Sequence, residues 1–174
     1  MNSKIIPSFI EDAPELGELV NSAYRGAYSK QGWTSEADLL DGTRIDAKAI
    51  EEIIQKPNTV ILKYTENGKI IGCMELQSQQ DNLYLGMLTV EPMLQGKGVG
   101  KELLVAAEDY ARENDCRSIR MTVISVRTEL VAWYVRHGYR DTGKRQPFHF
   151  SDPRFGIPKQ DLEFVVLEKI IEGR

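Results

Sequence analysis

The residues from Gln95 to Lys101 carry the clearest chemical signal in the sequence, a short turn in which glycine alternates with other residues. The apolar run before it, 83–90, is typical of a strand, and the apolar spacing after it is typical of an amphipathic helix. A strand that ends in glycines and leads into a helix presents unpaired backbone N–H groups at the positive end of the helix dipole. The turn therefore predicts a binding site for an anion.

This turn does not match the two common phosphate-binding loops. A P-loop requires glycine where Gln95 stands and serine or threonine where Glu102 stands. The dinucleotide fingerprint requires glycine at Lys101, and it belongs in the first strand–helix–strand unit of its domain. A nucleotide-phosphate enzyme of another fold is therefore disfavoured, and a purely structural glycine turn remains the alternative to a ligand site.

The chain that positions this turn has 174 residues, and we expect one domain over residues 1–174. Its net charge of -4 argues against a nucleic-acid partner bound through a basic surface. Cys73 and Cys116 lie in apolar segments and are expected as reduced core thiols, and the absence of ligand spacing predicts no metal. No apolar run approaches the roughly 20 residues that span a bilayer, so we expect a cytoplasmic protein without a membrane partner.

The order of the predicted elements indicates an α+β fold with a mixed, mostly antiparallel central sheet, a parallel strand–helix–strand unit and flanking helices. Three antiparallel strands precede the glycine turn, and the strand after its helix is expected to return parallel by a right-handed crossover. The irregular segment 29–56 is a candidate substrate lid. The predicted strands are 4–10, 59–64, 69–76, 83–90, 118–124, one from Tyr139 and 163–168; the predicted helices are 12–28, 35–40, 46–55, 101–111 and 128–137; 143–161 is predicted as a loop.

The run from Val90 to Gly100 resembles the acetyl-CoA loop of the GCN5-related N-acetyltransferase (GNAT) superfamily. The family pattern Q/R-x-x-G-x-G/A is matched by Gln95, Gly98 and Gly100. The segment 133–139 is similar to the second signature of the family, a tyrosine four residues before a Gly-aromatic pair. The resemblance implies a GNAT-like fold and acetyl-CoA as co-substrate, held by Leu88, Thr89, Val90, Gln95, Gly96, Lys97, Gly98, Val99, Gly100 and Lys101.

The physics of this segment agrees with the resemblance. Glycines let the backbone approach the pyrophosphate, and successive N–H groups form a nest for its oxygens. By the family pattern, Leu88 and Val90 pair main-chain groups with the pantetheine arm, which behaves as a short added strand. In one departure, Arg127 stands where many members carry an asparagine, so a cofactor contact from that position is left open.

Acetyl transfer to an amine requires a deprotonated nucleophile, a stabilised oxyanion and a proton for the departing CoA thiolate. The resemblance implies that Tyr134 is the general acid that supplies this proton. The backbone N–H of Leu88 or Val90 is the candidate that polarises the thioester carbonyl. Glu75 is the candidate base, acting directly or through water. The alternatives for the base are Glu36, Tyr84 and His149.

The predicted acceptor is the primary amine of a small molecule or a peptide. An aromatic residue with an acid suits an ammonium group, whereas Arg44 suits a carboxylate, so amino-acid-like and small polyamine-like amines both fit. The candidate substrate-binding residues are Tyr28, Trp33, Glu36 and Arg44, with Phe148 and His149 from the late loop.

Two further readings of the sequence stay open. A non-catalytic acyl-CoA-binding regulatory module would keep residues 95–100 and would need no proton donor. A homodimer is compatible with the late loop and with a final strand that we expect to be exposed.

Overall fold

The helices and strands alternate in nearly the order that the sequence predicts. The structure, a computed structural model, describes residues 3–148 and 155–173. Two single-turn 3-10 helices lie at Ile10–Asp12 and Pro92–Leu94. The other elements are β1 (Ser3–Pro7), α1 (Ala13–Tyr24), α2 (Gly26–Ser29), β2 (Leu40–Asp41), α3 (Ala47–Gln55), β3 (Thr59–Glu66), β4 (Lys69–Gln79), β5 (Asn82–Val90), α4 (Val99–Glu113), β6 (Ser118–Ile124), α5 (Thr128–Arg136), β7 (Arg140–Pro147), β8 (Ile157–Pro158) and β9 (Glu163–Ile170).

Seven of the described strands form one sheet in the order β1-β3-β4-β5-β6-β9-β7, and β2 pairs with β8 separately. Among these seven strands, β5 and β6 are the one parallel pair, and the other neighbours are antiparallel. Helix α4 connects β5 to β6, as a parallel pairing requires. The predicted class, a mostly antiparallel mixed sheet with one parallel unit and flanking helices, is confirmed.

The sheet opens between β5 and β6. Their pairing joins Asn82–Tyr84 to Ser118–Arg120 and ends there, although the strands continue to Val90 and Ile124. Strand β5 stays paired with β4 on its other side as far as Val90, opposite Gly72. The carboxyl half of β5 therefore has one paired edge and one edge that faces the opening.

A β-bulge lies within this open half of β5. Cys73 is opposite Thr89, whereas Glu75 is opposite Gly86, so β5 carries one extra residue between these pairs. Met87 adopts a φ of 53°, a left-handed conformation that is uncommon for a side-chain-bearing residue. A bulge bends a strand and changes the direction of the residues that follow it. Here it changes the direction of β5 just before Leu88.

Apolar side chains cover both faces of the sheet. On one face, α4 contributes Leu103, Leu104 and Ala107 to a core with Leu76 and Ile119. On the other face, α1 and α3 bury residues that include Leu16, Val20, Ile50, Ile61 and Cys73. Both cysteines are buried and free, which agrees with their prediction as core thiols.

Two predictions for the N-terminal half are wrong. The predicted helix 12–28 is interrupted at Arg25, whose φ of -131° and ψ of 156° are extended, and Gly26 with a φ of 73° starts α2. Neither residue interrupts the helical spacing of the apolar residues, so this spacing did not indicate the break in the helix. The predicted short helix at 35–40 is also not formed, since this segment consists of turns that lead into β2.

Two predictions for the C-terminal half are wrong as well. Residues 143–147, predicted as a loop, belong to β7, whose side chains are mostly exposed because it is an edge strand. The final strand β9 is not an exposed edge, because it lies between β6 and β7. In the described ranges, no helix combines the length and the apolar character that crossing a bilayer requires.

Candidate active site

The opening between β5 and β6 leads into a cleft of about 650 Å³. The carboxyl end of β5 contributes Leu88 and Val90 to its lining, and the glycine turn contributes Gly96, Gly98 and Gly100. Helix α5 contributes Trp133 and Tyr134, among other residues. The two segments singled out from the sequence, the glycine turn and the second signature, therefore face each other across one space.

The glycine turn is shaped by two left-handed residues. Gly96 and Gly98 have φ values of 80° and 90°. A Cβ at either position would meet no described atom within 4 Å, so glycine is needed there for its backbone conformation. Gly98 is the N-cap of α4 and has no side chain to cap it. The first N–H groups of α4 therefore remain available to an anion in the cleft.

Gly100 has a different structural role in the same turn. A Cβ on Gly100 would lie 3.2 Å from Cζ2 and 3.3 Å from Cη2 of Trp133, which is closer than ordinary packing. Its glycine lets the first turn of α4 rest against the Trp133 indole. The absence of a side chain here brings the two walls of the cleft together.

The open edge of β5 directs main-chain groups into the cleft. The Glu91 N–H donates to the Ile71 carbonyl at 2.9 Å, which makes Glu91 and Ile71 a hydrogen-bonded pair of the ladder. In an antiparallel ladder the residue before such a pair points its N–H and C=O the other way. Val90 therefore turns its main-chain groups toward the cleft, as does Leu88 across the bulge. Two side chains already use the carbonyls: Tyr24 donates to that of Leu88, and Gln95 Nε2 to that of Val90 at 3.1 Å.

The Gln95 side chain holds a second segment of the chain against the cleft. Its Oε1 accepts from the Trp33 N–H at 2.8 Å, and its Nε2 donates to Thr34 Oγ1 at 2.8 Å. Gly32 allows this contact, since a Cβ there would lie 2.4 Å from Gln95 Oε1. Gln95 lines the cleft, but its amide is bonded to the protein, so its predicted cofactor contact stays a prediction. We call residues 30–39 the bracing segment.

We expect Gln95→Ala to loosen the bracing segment. The change removes the two hydrogen bonds that the Gln95 side chain makes to Trp33 and Thr34, and bonds of this kind contribute about 1 kcal/mol each. The Trp33 amide should then exchange with deuterium about tenfold faster, which corresponds to about 1.4 kcal/mol. Gln31→Ala, at an exposed glutamine of the same segment, is the control and should leave that rate unchanged. Equal protection of the Trp33 amide in Gln95→Ala and in the wild type would contradict the brace.

A second space of about 260 Å³, which we call the side pocket, adjoins the cleft. Its lining includes Tyr84, Gly86, Arg44 and Arg127. Tyr24, Leu88, Leu130 and Tyr134 line both spaces, so the cleft and the side pocket meet at these residues. A molecule in each space would place its reacting group beside Leu88 and Tyr134.

Two buried phenols stand at this junction. Tyr134 is 5% exposed, and its ring packs edge-on against Trp133 at 5.1 Å and Tyr139 at 5.7 Å between ring centroids. Burial raises the pKa of Tyr134 well above its ordinary value. Burial, with the nearby Glu36 carboxylate, raises the pKa of Tyr24 to about 12. Both phenols therefore carry their proton at neutral pH.

Three charged side chains, those of Arg25, Glu36 and Arg127, form a cluster next to the side pocket. The Glu36 carboxylate lies 3.4 Å from the Arg25 guanidinium and 3.5 Å from that of Arg127. Arg127 also donates to the Thr34 carbonyl at 2.6 Å, so it ties the bracing segment to the start of α5. Arg127 lines the side pocket and lies outside the described lining of the cleft. Arg127, whose cofactor contact the sequence left open, therefore lines the side pocket.

The other predicted site residues are distributed unevenly. Trp33 lines the cleft, with its ring 6.1 Å from that of Trp133, whereas Arg44, Glu36 and Phe148 line the side pocket. Tyr28 is 42% exposed, donates to Glu91, and lies outside the described lining of both spaces.

Glu75 is not brought to either space. It is half-buried on β4, opposite Gly86, and lies outside the described lining of the cleft and the side pocket. Burial raises its pKa. Among the alternatives for the base, Tyr84 lines the side pocket, and His149 lies outside the described residues.

Sequence reasoning missed Tyr24 and Trp133 as site residues. Tyr24 followed the apolar spacing of α1, which predicts a core position, and its partner Leu88 is 64 residues away. Trp133 stands next to Tyr134 in the sequence, and its large ring could have indicated that it lines the site. The described residues contain no group of three or more His, Cys, Asp or Glu side chains that could hold a metal ion.

Known proteins are similar to this chain in sequence. Residues 24–151 match the family model of the acetyltransferase (GNAT) domain. The chain is 31% identical over 139 residues to the uncharacterized N-acetyltransferase YhfO of Bacillus subtilis, covering 76% of this chain and 87% of that protein. It is 28% identical over 75 residues to the uncharacterized protein YdhI of the same organism, a match that spans 43% of this chain and 46% of that protein.

Solved structures share the fold at lower identity. The ribosomal-protein-S18-alanine N-acetyltransferase of Escherichia coli superposes with a TM-score of 0.73 at 15% identity, covering 99% of this chain and 96% of that one. PaiA N-acetyltransferase of Thermoplasma acidophilum, solved in complex with coenzyme A, gives a TM-score of 0.69 at 19% identity, covering 98% and 99%. The family match over most of the chain, the N-acetyltransferase relative and the shared fold agree with both signatures: this chain belongs to the GNAT family and is an acetyltransferase.

Proposed function

We propose that the protein transfers an acetyl group from acetyl-CoA directly to the primary amine of a small molecule. The observation that carries this proposal is the meeting of the cleft and the side pocket at Leu88 and Tyr134. Two spaces that open onto the same few atoms suit a two-substrate transfer without an intermediate on the enzyme. The cleft would take the larger co-substrate and the side pocket the acceptor.

Acetyl-CoA fits the cleft in one direction. Its pyrophosphate would lie at Gly96–Lys101, where the first N–H groups of α4 and the helix dipole favour an anion. Its pantetheine arm would run along the open edge of β5 and accept from one of the two N–H groups of Leu88 and Val90, which leaves the other for the thioester carbonyl. The thioester then lies at the bulge, next to Tyr134. Family membership and the coenzyme A bound to PaiA support acetyl-CoA as the ligand.

The transfer needs one proton donor, and Tyr134 is placed to be it. The amine nitrogen attacks the thioester carbon, the carbonyl oxygen becomes an oxyanion, and the N–H of Leu88 or Val90 stabilises it. The C–S bond then breaks, and the CoA thiolate takes the phenolic proton of Tyr134. The attacking nitrogen carries one extra proton after the attack and loses it to solvent as the amide forms, and the Tyr134 phenolate takes a proton back from solvent. The raised pKa of Tyr134 ensures that the phenol is protonated when the thiolate forms.

Glu75 remains our proposed base, acting through water. Its raised pKa moves the carboxyl toward the value at which it can accept a proton near neutral pH. Because Glu75 lies outside the lining of the side pocket, a direct contact with the amine is not part of the proposal. An acceptor amine that arrives already neutral would need no base.

Calorimetry followed by a turnover assay tests the proposed function. Acetyl-CoA should bind with a micromolar-range dissociation constant, about 8 kcal/mol, whereas ATP and NAD should not bind. The same preparation should release free thiol from acetyl-CoA when an acceptor amine is added. Binding without thiol release across an amine library would instead support the regulatory module. The absence of acetyl-CoA binding would overturn both readings.

A further inference from the structure

The side pocket has an uneven distribution of charge. Of the described residues that line it, three carry a formal charge: Glu36, Arg44 and Arg127. Glu36 already lies between two guanidinium groups, those of Arg25 and Arg127, and its side chain is 11% exposed. Its carboxylate is therefore compensated within the protein and is poorly placed to attract an ammonium group. This argues against a polyamine as the acceptor.

The guanidinium of Arg25, the first partner of Glu36, makes all of its described contacts within the protein. Its Nη1 donates to the carbonyls of Asp41, Gly42 and Thr43, at 3.2 to 3.4 Å, and its Nη2 donates to that of Phe155 at 3.0 Å. Its other contacts are with Glu36. Arg25 therefore fixes the Glu36 carboxylate and the chain around residues 41–43, and it leaves ligand binding to another cation.

Arg44 is that other cation. Its backbone N–H donates to Asn21 Oδ1 at 2.7 Å, and the next residue, Ile45, exchanges two hydrogen bonds with the same asparagine at 2.8 and 3.1 Å. The main chain of Arg44 is thus fixed to α1, while its half-buried side chain lines the side pocket. Within residues 3–148 and 155–173, no ion pair joins its guanidinium to a carboxylate.

Glu75 interacts electrostatically with the Arg44 guanidinium but forms no ion pair with it, so the guanidinium is free to bind a carboxylate of a ligand directly. A carboxylate is the group that a guanidinium binds with two parallel hydrogen bonds. We propose, on the basis of the function proposed above, that Arg44 binds a carboxylate on the acceptor, so that the acceptor is a small amino-carboxylate such as a free amino acid. The amine of this acceptor points to the junction with the cleft, and its carboxylate points to Arg44.

The size and lining of the side pocket agree with such a molecule. Its volume of about 260 Å³ is below the range typical of drug-sized ligands. Beside the charged residues, the lining contains apolar side chains, among them Leu85, Met121 and Phe164. Free amino acids with apolar side chains combine this small size with the required amine and carboxylate.

Matched acceptors test the proposal. L-Phenylalanine, 2-phenylethylamine and L-phenylalaninamide share one amine and one ring and differ in the carboxylate; L-leucine and 3-methylbutylamine form a second pair, and spermidine represents the polyamines. The wild-type kcat/KM should be about 30-fold higher for the amino acids than for the matched amines, as one charge-assisted pair provides. In Arg44→Gln this preference should fall to within about threefold, because the rate with the amino acids falls much more than the rate with the amines. Arg44→Lys should recover part of it.

The control variant is Arg117→Gln, which makes the same change in net charge at an exposed position outside the pocket. It should keep the full preference. Higher activity with spermidine or with the amines than with the amino acids would overturn the proposal, and so would an unchanged preference in Arg44→Gln. Higher activity with L-phenylalaninamide than with L-phenylalanine would overturn it in favour of a peptide N-terminus.

Calorimetry separates a failure of this proposal from a failure of the proposed function. L-Phenylalanine and L-leucine are titrated into the complex of the protein with CoA, where no transfer is needed for a signal. At least one of them should bind to the wild type and bind at least about tenfold more weakly to Arg44→Gln. Binding of this kind without turnover would uphold the Arg44 site and overturn the proposed function. Binding of neither amino acid would overturn the Arg44 site, whatever the outcome of the acetyl-CoA titration.

Discussion

Tyr134→Phe is expected to lower kcat for acetyl transfer by about 100-fold, the lower end of what a positioned general acid contributes. Phenylalanine keeps the edge-on ring contacts with Trp133 and Tyr139, so the walls of the cleft should hold their shape. The affinity for acetyl-CoA should therefore be nearly unchanged. Steady-state kinetics and calorimetry on the same preparation separate these two effects.

Tyr139→Phe is the matched control for this variant. Tyr139 is equally buried and touches the Tyr134 ring, and its hydroxyl is a buried polar atom without a partner in the described part of the chain. Removing that hydroxyl should leave kcat unchanged and should not lower the melting temperature, since an unsatisfied buried group is lost. A Tyr134→Phe enzyme as active as Tyr139→Phe would show that the proton comes from another group.

The pH dependence gives a second view of the same proton. A tyrosine whose pKa is raised keeps its proton as the pH increases through the ordinary value of about 10. The rate should accordingly not fall between about pH 8 and 10 through ionisation of Tyr134, and deprotonation of the acceptor amine should make it rise there. A falling limb in this range that vanishes in Tyr134→Phe would contradict the raised pKa.

Gly98→Glu is expected to weaken acetyl-CoA binding by at least about 100-fold, or about 2.8 kcal/mol. This variant has two effects, the first on acetyl-CoA binding and the second on the stability of the fold. The new carboxylate lies at the start of α4, where the pyrophosphate is proposed to bind, and repels it. The φ of 90° at this position also costs a side-chain-bearing residue about 1–2 kcal/mol. Calorimetric titration with acetyl-CoA measures the loss directly.

Gly68→Glu separates the charge from the strain. Gly68 has a φ of 78° in the turn between β3 and β4, and its Cβ, like that of Gly98, would meet no atom of the described ranges within 4 Å. Both variants should lower the melting temperature by similar amounts. Of the two variants, only Gly68→Glu should bind acetyl-CoA as tightly as the wild type. The same affinity in Gly98→Glu would remove the glycine turn from the binding site.

The strand–turn–helix unit was predictable because all of its signals are local. The apolar run of β5, the glycines and the spacing of α4 follow one another within 83–113, and the two signatures then identified the family. The break at Arg25 was not predictable in this way. The extended conformation there is maintained by contacts of its guanidinium with residues as distant as Phe155, 130 positions along the chain.

The candidate site was predictable only in part, because some of its contacts join residues that are far apart in the sequence. The bracing segment is held by Gln95 and Arg127, whose bonds to Thr34 span 61 and 93 residues, and a single sequence does not reveal such pairs. Trp33 therefore could not be assigned to the cleft instead of the side pocket. Likewise, Glu75 alternates correctly for an inward position on β4, but the described linings of both spaces contain no residue of β4, which depends on how distant elements pack.

The strand edges carry features that protect a sheet against aggregation. Unpaired edges invite another chain to add a strand, and natural sheets limit this with short, charged or proline-bearing edge strands. Edge strand β1 has 5 residues and ends at Pro7, and edge strand β7 exposes Arg140, Asp141, Lys144 and Arg145. The open edge of β5 is recessed in the cleft between α4 and α5, where a small molecule fits more readily than the edge of a second sheet. The recessed position thus protects the open strand from pairing with the edge strand of another chain.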